Sequence, residues 1–86
     1  MFTHDLGASL YKTWTAEQRR DEISKLVEGY RGGTPLGIVC NLAEIIAGSQ
    51  ELAKEYLTAC MPLAERQAAV AKETGGMRTL LEEFLL

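Results

Sequence analysis

Apolar side chains recur every three or four positions along most of the chain, and no stretch keeps the two-residue alternation of a half-buried strand. The pattern is interrupted at Arg31-Gly32-Gly33-Thr34-Pro35, Gly48-Ser49, Met61-Pro62 and Gly75-Gly76, so glycine and proline cut the chain into helices. An all-α fold follows, a small bundle of four to five short helices around a central apolar helix at about 35–47. The 86 residues form a single domain, 1–86, in which residues 1–12 read as a short helical or mobile arm. Leu6, Leu10 and Trp14 have helical spacing there, with Thr3 as cap, and Gly7 weakens the pattern.

The start and stop signals are local. Thr15-Ala16-Glu17-Gln18 is a capping box, in which the Thr hydroxyl accepts the Gln18 backbone N–H and the Gln18 side chain returns the bond. A helix therefore starts at Ala16, lines up Ile23, Leu26, Val27 and Tyr30, and stops at Gly32-Gly33. Thr34 then caps a helix with Pro35 at its first position, where the missing N–H is not needed. Leu36, Ile38, Val39, Cys40, Leu42, Ile45 and Ile46 cover most of its circumference, as in a helix surrounded by others. Its contrasting stripe, Gly37, Asn41, Glu44 and Gly48, offers close approach to another helix, with Asn41 and Glu44 as polar contacts fixing its register, or simply faces water, which is the preferred reading.

Ser49 caps the next helix, whose face is Leu52, Ala53, Tyr56, Leu57 and Cys60. Pro62 breaks the chain, because proline clashes with the carbonyl four residues back. The alanine-rich segment Leu63 to Thr74 has only a thin apolar face, Leu63, Val70 and Ala71, and Gly75-Gly76 ends it.

The final segment has the clearest amphipathic pattern. Met77, Leu80, Leu81, Phe84 and Leu85 follow i, i+3, i+4, i+7 and i+8, with Leu86 beside them, while Arg78, Thr79, Glu82 and Glu83 fall opposite. Its ten residues fall short of the roughly 12 to 15 that make an isolated helix even marginal, so it is helical only when docked. Burying all six large side chains would contribute about 1.5 to 3 kcal/mol each before chain entropy is subtracted. Two surfaces compete for them. They can close the protein's own core against Leu36 to Ile46, or dock on another chain as amphipathic helices in grooves do. Met77, Leu80, Leu81, Phe84, Leu85 and Leu86 are thus the candidate partner-binding residues, with the excess expected chiefly at Phe84, Leu85 and Leu86.

Charge narrows the partner. The net charge is −3, and it is uneven: residues 1–43 hold five basic and five acidic groups, residues 44–86 four basic and seven acidic. Such a surface repels phosphate and disfavours nucleic acid. Arg19-Arg20 is followed at once by Asp21 and Glu22, and Asp21 pairs with Lys25 at i,i+4, which describes a solvated helix face. The segment 38–58 does have a helix-turn-helix outline. Its second helix, however, would present Gln50, Glu51, Lys54 and Glu55 to a groove that favours Arg and Lys.

Chemistry is sparse. His4 is the single histidine, and Cys40 and Cys60 lack the close Cys or His neighbours of a zinc or CxxC site, so both are expected reduced and buried, with no metal and no cofactor. The residues supply no nucleophile with its base and no phosphate loop. The N-terminus lacks a secretory pattern, and the longest apolar stretch is too short for a membrane span, so the expected setting is cytoplasmic. These features fit a non-enzymatic regulator or inhibitor that occupies a surface of another protein, of the size class of phage or mobile-element accessory proteins, with homodimerisation as one form of the same docking. A helix-turn-helix DNA-binding regulator using residues 38–58 is the alternative.

Overall fold

The structure is a computed structural model, and it describes residues 11–86. The expected helix at 3–12 and His4 lie outside the described residues, apart from Tyr11 and Lys12, which with Thr13 form a turn closed by the Trp14 N–H donating to the Tyr11 carbonyl at 3.1 Å.

Five helices follow: α1 (Ala16–Arg31), α2 (Leu36–Ala47), α3 (Gln50–Cys60), α4 (Leu63–Ala71) and α5 (Gly75–Leu85). The capping box forms as its residues dictate, with the Gln18 N–H donating to Thr15 Oγ1 at 3.1 Å and the Thr15 N–H to Gln18 Oε1 at 2.8 Å. Gly32 closes α1 in a right-handed conformation, and Gly33, at φ 119°, makes the reversal that a side chain would oppose. Pro35, expected as the first helical residue, stands one place earlier as the cap of α2, and Thr34 supplies no capping bond. Gly48 (φ 96°) ends α2, and Ser49 Oγ accepts the Leu52 N–H to start α3.

Pro62 does break the chain. Met61 is extended and fully buried between α3 and α4, so the break sets a core residue rather than a surface loop. Two expectations fail beyond it. Gly75 and Gly76 do not end α4, which stops at Ala71; they form the first turn of α5, with Thr74 as its cap residue. The face of α4 is Ala69 and Val70, while Leu63 and Ala71 are exposed, because the short helix lies on α5 along one narrow strip.

The packing explains the burial. α1, α2 and α3 pack on one another pairwise, α4 packs chiefly on α5, and α5 rests on α3. α2 supplies six buried residues, more than any other helix, yet Ile38 and Leu42 on its outer side are exposed. Its circumference is apolar, but only the side facing α1 and α3 is covered.

Arginines tie these elements together. Arg19, read from sequence as part of a solvated face, is half-buried and donates to the carbonyls of Trp14 (3.3 Å), Tyr11 and Ile46. Arg66 donates to the carbonyls of Met61 (2.9 Å) and Leu85 (2.6 Å), joining α4 to the break before it and to α5. Arg31 grips the Glu65 carboxylate with two nitrogens at 2.9 and 2.7 Å and also reaches the Cys60 carbonyl. Lys25, expected opposite Asp21, lies 3.5 Å from Glu22 instead.

Candidate functional site: a groove beside the last helix

The apolar stripe of α5 divides in two. Leu81, Phe84 and Leu85 are buried, Leu85 completely, and belong to the protein's own core. Met77, Leu80 and Leu86 are exposed, Leu80 to 63%. Sequence placed the excess at Phe84, Leu85 and Leu86; the structure removes Phe84 and Leu85 from that surface and puts Met77 and Leu80 in their place. The physical reason is the neighbour. α5 rests on α3 and α4, and its contact with α2 is slight, so the face turned toward α2 stays open.

That opening is a groove of about 540 Å³ bounded by α2, α3 and α5. The buried residues Cys40, Leu81 and Phe84 form its floor. Asn41 and Glu44 of α2 and Gln50, Glu51 and Lys54 of α3 line its sides, and Leu80 and Glu83 of α5 complete it. The stripe of α2 faces water at Asn41 and Gly48 and is half-covered at Gly37 and Glu44, and its residues have three separate surroundings. Gly37 leaves room for Met77, whose Cε would stand 3.9 Å from a Cβ there; Asn41 and Glu44 line the groove; and Gly48 lies beside the Arg19 guanidinium.

The floor carries no reactive thiolate. Burial pushes the Cys40 thiol up to about 12, so at neutral pH it is protonated and acts as a small apolar surface. Cys60, expected to be buried, is only half-buried, and both cysteines are free thiols. Among the described residues no three His, Cys, Asp or Glu side chains are grouped so as to hold a metal ion, and no helix is long and apolar enough to cross a membrane.

A second hollow, of about 530 Å³, lies where α4 meets the loop after α1 and contains the Arg31–Glu65 pair with Lys72 and Glu73 on its edge. The pairing holds the Glu65 carboxyl below the usual carboxylate range and raises the Arg31 guanidinium. With Arg31 engaged by two carboxylates and a carbonyl, this hollow is a structural joint.

The helix-turn-helix outline is present as α2, Gly48-Ser49 and α3. Gln50, Glu51 and Lys54, however, line the groove shared with α5, where Glu83 adds a third carboxylate to those of Glu44 and Glu51. Comparison of the chain with family models, with curated proteins and with solved structures returns no match.

Proposed function

We propose that this chain is a non-enzymatic protein-binding regulator or inhibitor, which acts by covering a surface of a partner protein with exposed apolar side chains, chiefly Met77 and Leu80 of α5. One observation carries the reading: among the described residues seven large apolar side chains are exposed, and one of them, Leu80, lines a groove with an apolar floor, with exposed Met77 one turn before it on α5. Isolated exposed leucines are ordinary on protein surfaces. An exposed leucine on the edge of a concave apolar floor is a different arrangement, since both can be desolvated by one occupant. Occupying a partner's surface needs no catalytic group, and the size fits an accessory protein of the phage or mobile-element kind.

Met77→Glu with Leu80→Glu tests the reading without damaging the core, because both positions are exposed. Light scattering on both forms, together with capture from the native host followed by mass spectrometry, reads self-association and partner binding at once. The variant should keep its helical circular dichroism and lose the captured protein, or lose the dimer if the partner is a second copy. A native monomer whose captured proteins are unchanged by the double substitution rejects the reading.

DNA binding through α2 and α3 is the second reading, supported by the helix-turn-helix connectivity alone. Its outer helix offers carboxylates where phosphate contacts require cations. A titration with duplex DNA at low salt gives that reading its most favourable condition, and lack of affinity there ends it.

A further inference from the structure

We infer that a third hollow, between the starts of α1 and α3, is a binding site for a small organic monocarboxylate, held by the Arg19 guanidinium and the Tyr56 and Ser49 hydroxyls with its apolar body along Leu52; this goes beyond the protein-binding reading above and does not depend on it. The hollow measures about 380 Å³. Small-molecule sites usually occupy roughly 300 to 1,000 Å³. It opens where α2 turns into α3 at Gly48-Ser49.

Tyr56 points to a ligand. Its side chain belongs to a residue only 8% exposed, yet its hydroxyl has no hydrogen-bond partner among the described residues. No fully buried side-chain oxygen or nitrogen of the described residues lacks a partner, so this hydroxyl is not sealed in the core and keeps its contact with open space. The hollow is the opening that Tyr56 lines. Within the protein nothing satisfies that hydroxyl, and a solute entering the hollow can.

The other groups select the charge and shape of the solute. Arg19 places one N–H of each nitrogen on the carbonyls of Trp14, Ile46 and Tyr11, which leaves the second N–H of Nη1 and of Nη2 unused. Among the described residues no carboxylate pairs with it, and it is the single charged side chain lining the hollow. Ser49 Oγ accepts the Leu52 N–H at 3.2 Å and keeps its own proton to donate. α3 begins at the same wall, and the N-terminus of a helix favours negative charge. One guanidinium in a chain of net charge −3 matches a single negative charge better than a phosphate dianion, and its planar fork fits a carboxylate. Leu52, exposed to 41%, gives the rest of the ligand an apolar wall together with Ala16 and Ala47.

The probes are phenylacetate, its neutral amide phenylacetamide, and inorganic phosphate, each titrated into the isotopically labelled full chain and followed by two-dimensional NMR. Phenylacetate should shift the amides of Gly48, Ser49 and Leu52 saturably, and the other two probes should bind at least about tenfold more weakly. Tyr56→Phe removes only the hydroxyl. It should leave the denaturant unfolding midpoint unchanged, because that hydroxyl has no partner within the protein, and lower the affinity for phenylacetate about fivefold or more. Leu52→Asp, at an exposed position, should keep the helical circular dichroism and abolish binding by placing a carboxylate on the wall. Absence of shifts at the hollow, equal binding of the amide or of phosphate, or full affinity in either variant overturns the inference. A midpoint lowered by Tyr56→Phe assigns the hydroxyl to the fold and overturns it as well.

Discussion

The stretch from Thr15 to Met61 and the stretch from Pro62 to Leu86 are both helical, yet they are held by different means. In the first, α1, α2 and α3 touch one another pairwise and their ends are set by nearby residues: the Thr15–Gln18 box, the left-handed Gly48 and the Ser49 cap. In the second, both helices, α4 and α5, start without a side-chain capping bond, at Pro62 and Thr74, as only α2 does in the first, and they span nine and eleven residues. Helices that short do not persist in water by propensity. They are held by contacts made far along the chain, through Phe84 and Leu85 in the core, Arg66 on the Leu85 carbonyl and Glu65 on Arg31. One half of the fold is specified locally and the other by docking. The groove lies where the docked half meets the other.

The largest test of that contrast is Phe84→Ala. Replacing a buried phenylalanine by alanine costs about 3 to 5 kcal/mol, against total stabilities of about 5 to 15 kcal/mol for domains in general. Denaturant unfolding followed by circular dichroism should show a loss of that size. Leu80→Ala, one turn away on the same helix but exposed, should stay within about 0.5 kcal/mol of the native value. Similar losses at both positions would mean that α5 is not held by its inner face.

The same contrast decides what could be read from the amino-acid sequence. Helix class, the start of α1, the break at Pro62 and the cap at Ser49 were legible because each depends on residues within four positions of one another. The end of α4 was not, because Gly75-Gly76 satisfies the rule for stopping a helix as well as the requirement for flexibility at the start of the next. The stripe of α5 could be recognised as amphipathic, but which of its residues would be covered depended on α5 lying on α3 and α4 instead of α2. Periodicity gives a face and not a neighbour. The roles of Arg19, Arg31 and Arg66 left no local mark, since their acceptors Ile46, Glu65 and Leu85 lie 27, 34 and 19 residues away. Of the groove's lining, Asn41 and Glu44 are legible as a polar stripe of α2, Gln50, Glu51 and Lys54 as the outer face of α3, and Leu80, Leu81 and Phe84 as the stripe of α5; nothing local says that the three meet.

A smaller effect should separate a long-range tie from a local one. Arg66→Met keeps much of the aliphatic stem and removes both bonds to the Met61 and Leu85 carbonyls. Hydrogen bonds from charged groups contribute about 1.5 to 3 kcal/mol each, and partial exposure of Arg66 places the combined effect toward the lower end. Ser49→Ala removes one cap bond, typically worth about 1 kcal/mol. The Arg66 variant should therefore lose more stability, and amide exchange should show the loss of protection concentrated in α4 and α5. Greater damage from Ser49→Ala, or exchange that rises evenly over all five helices, would erase the distinction between the two halves.

The smallest expected effect lies in the pH dependence of the Arg31–Glu65 joint. Both side chains are partly exposed, so the pair adds little at neutral pH, but it has a direction that can be checked. The guanidinium holds the Glu65 carboxyl below its ordinary value, which means that the unfolded chain takes up this proton at a higher pH than the folded chain does. The stabilisation is therefore complete above the unfolded glutamate value of about 4.3 and disappears as pH falls through the lower folded value. Arg31 itself stays charged throughout, because the same pairing raises it further from titration. Glu65→Gln should be slightly less stable than the native chain at pH 7, and the two unfolding midpoints should converge as the solution is acidified below that window. A gap that stays constant with pH would assign the difference to packing of the Glu65 side chain rather than to its charge, and α4 would then be held by its contact with α5 and by Arg66 without help from α1.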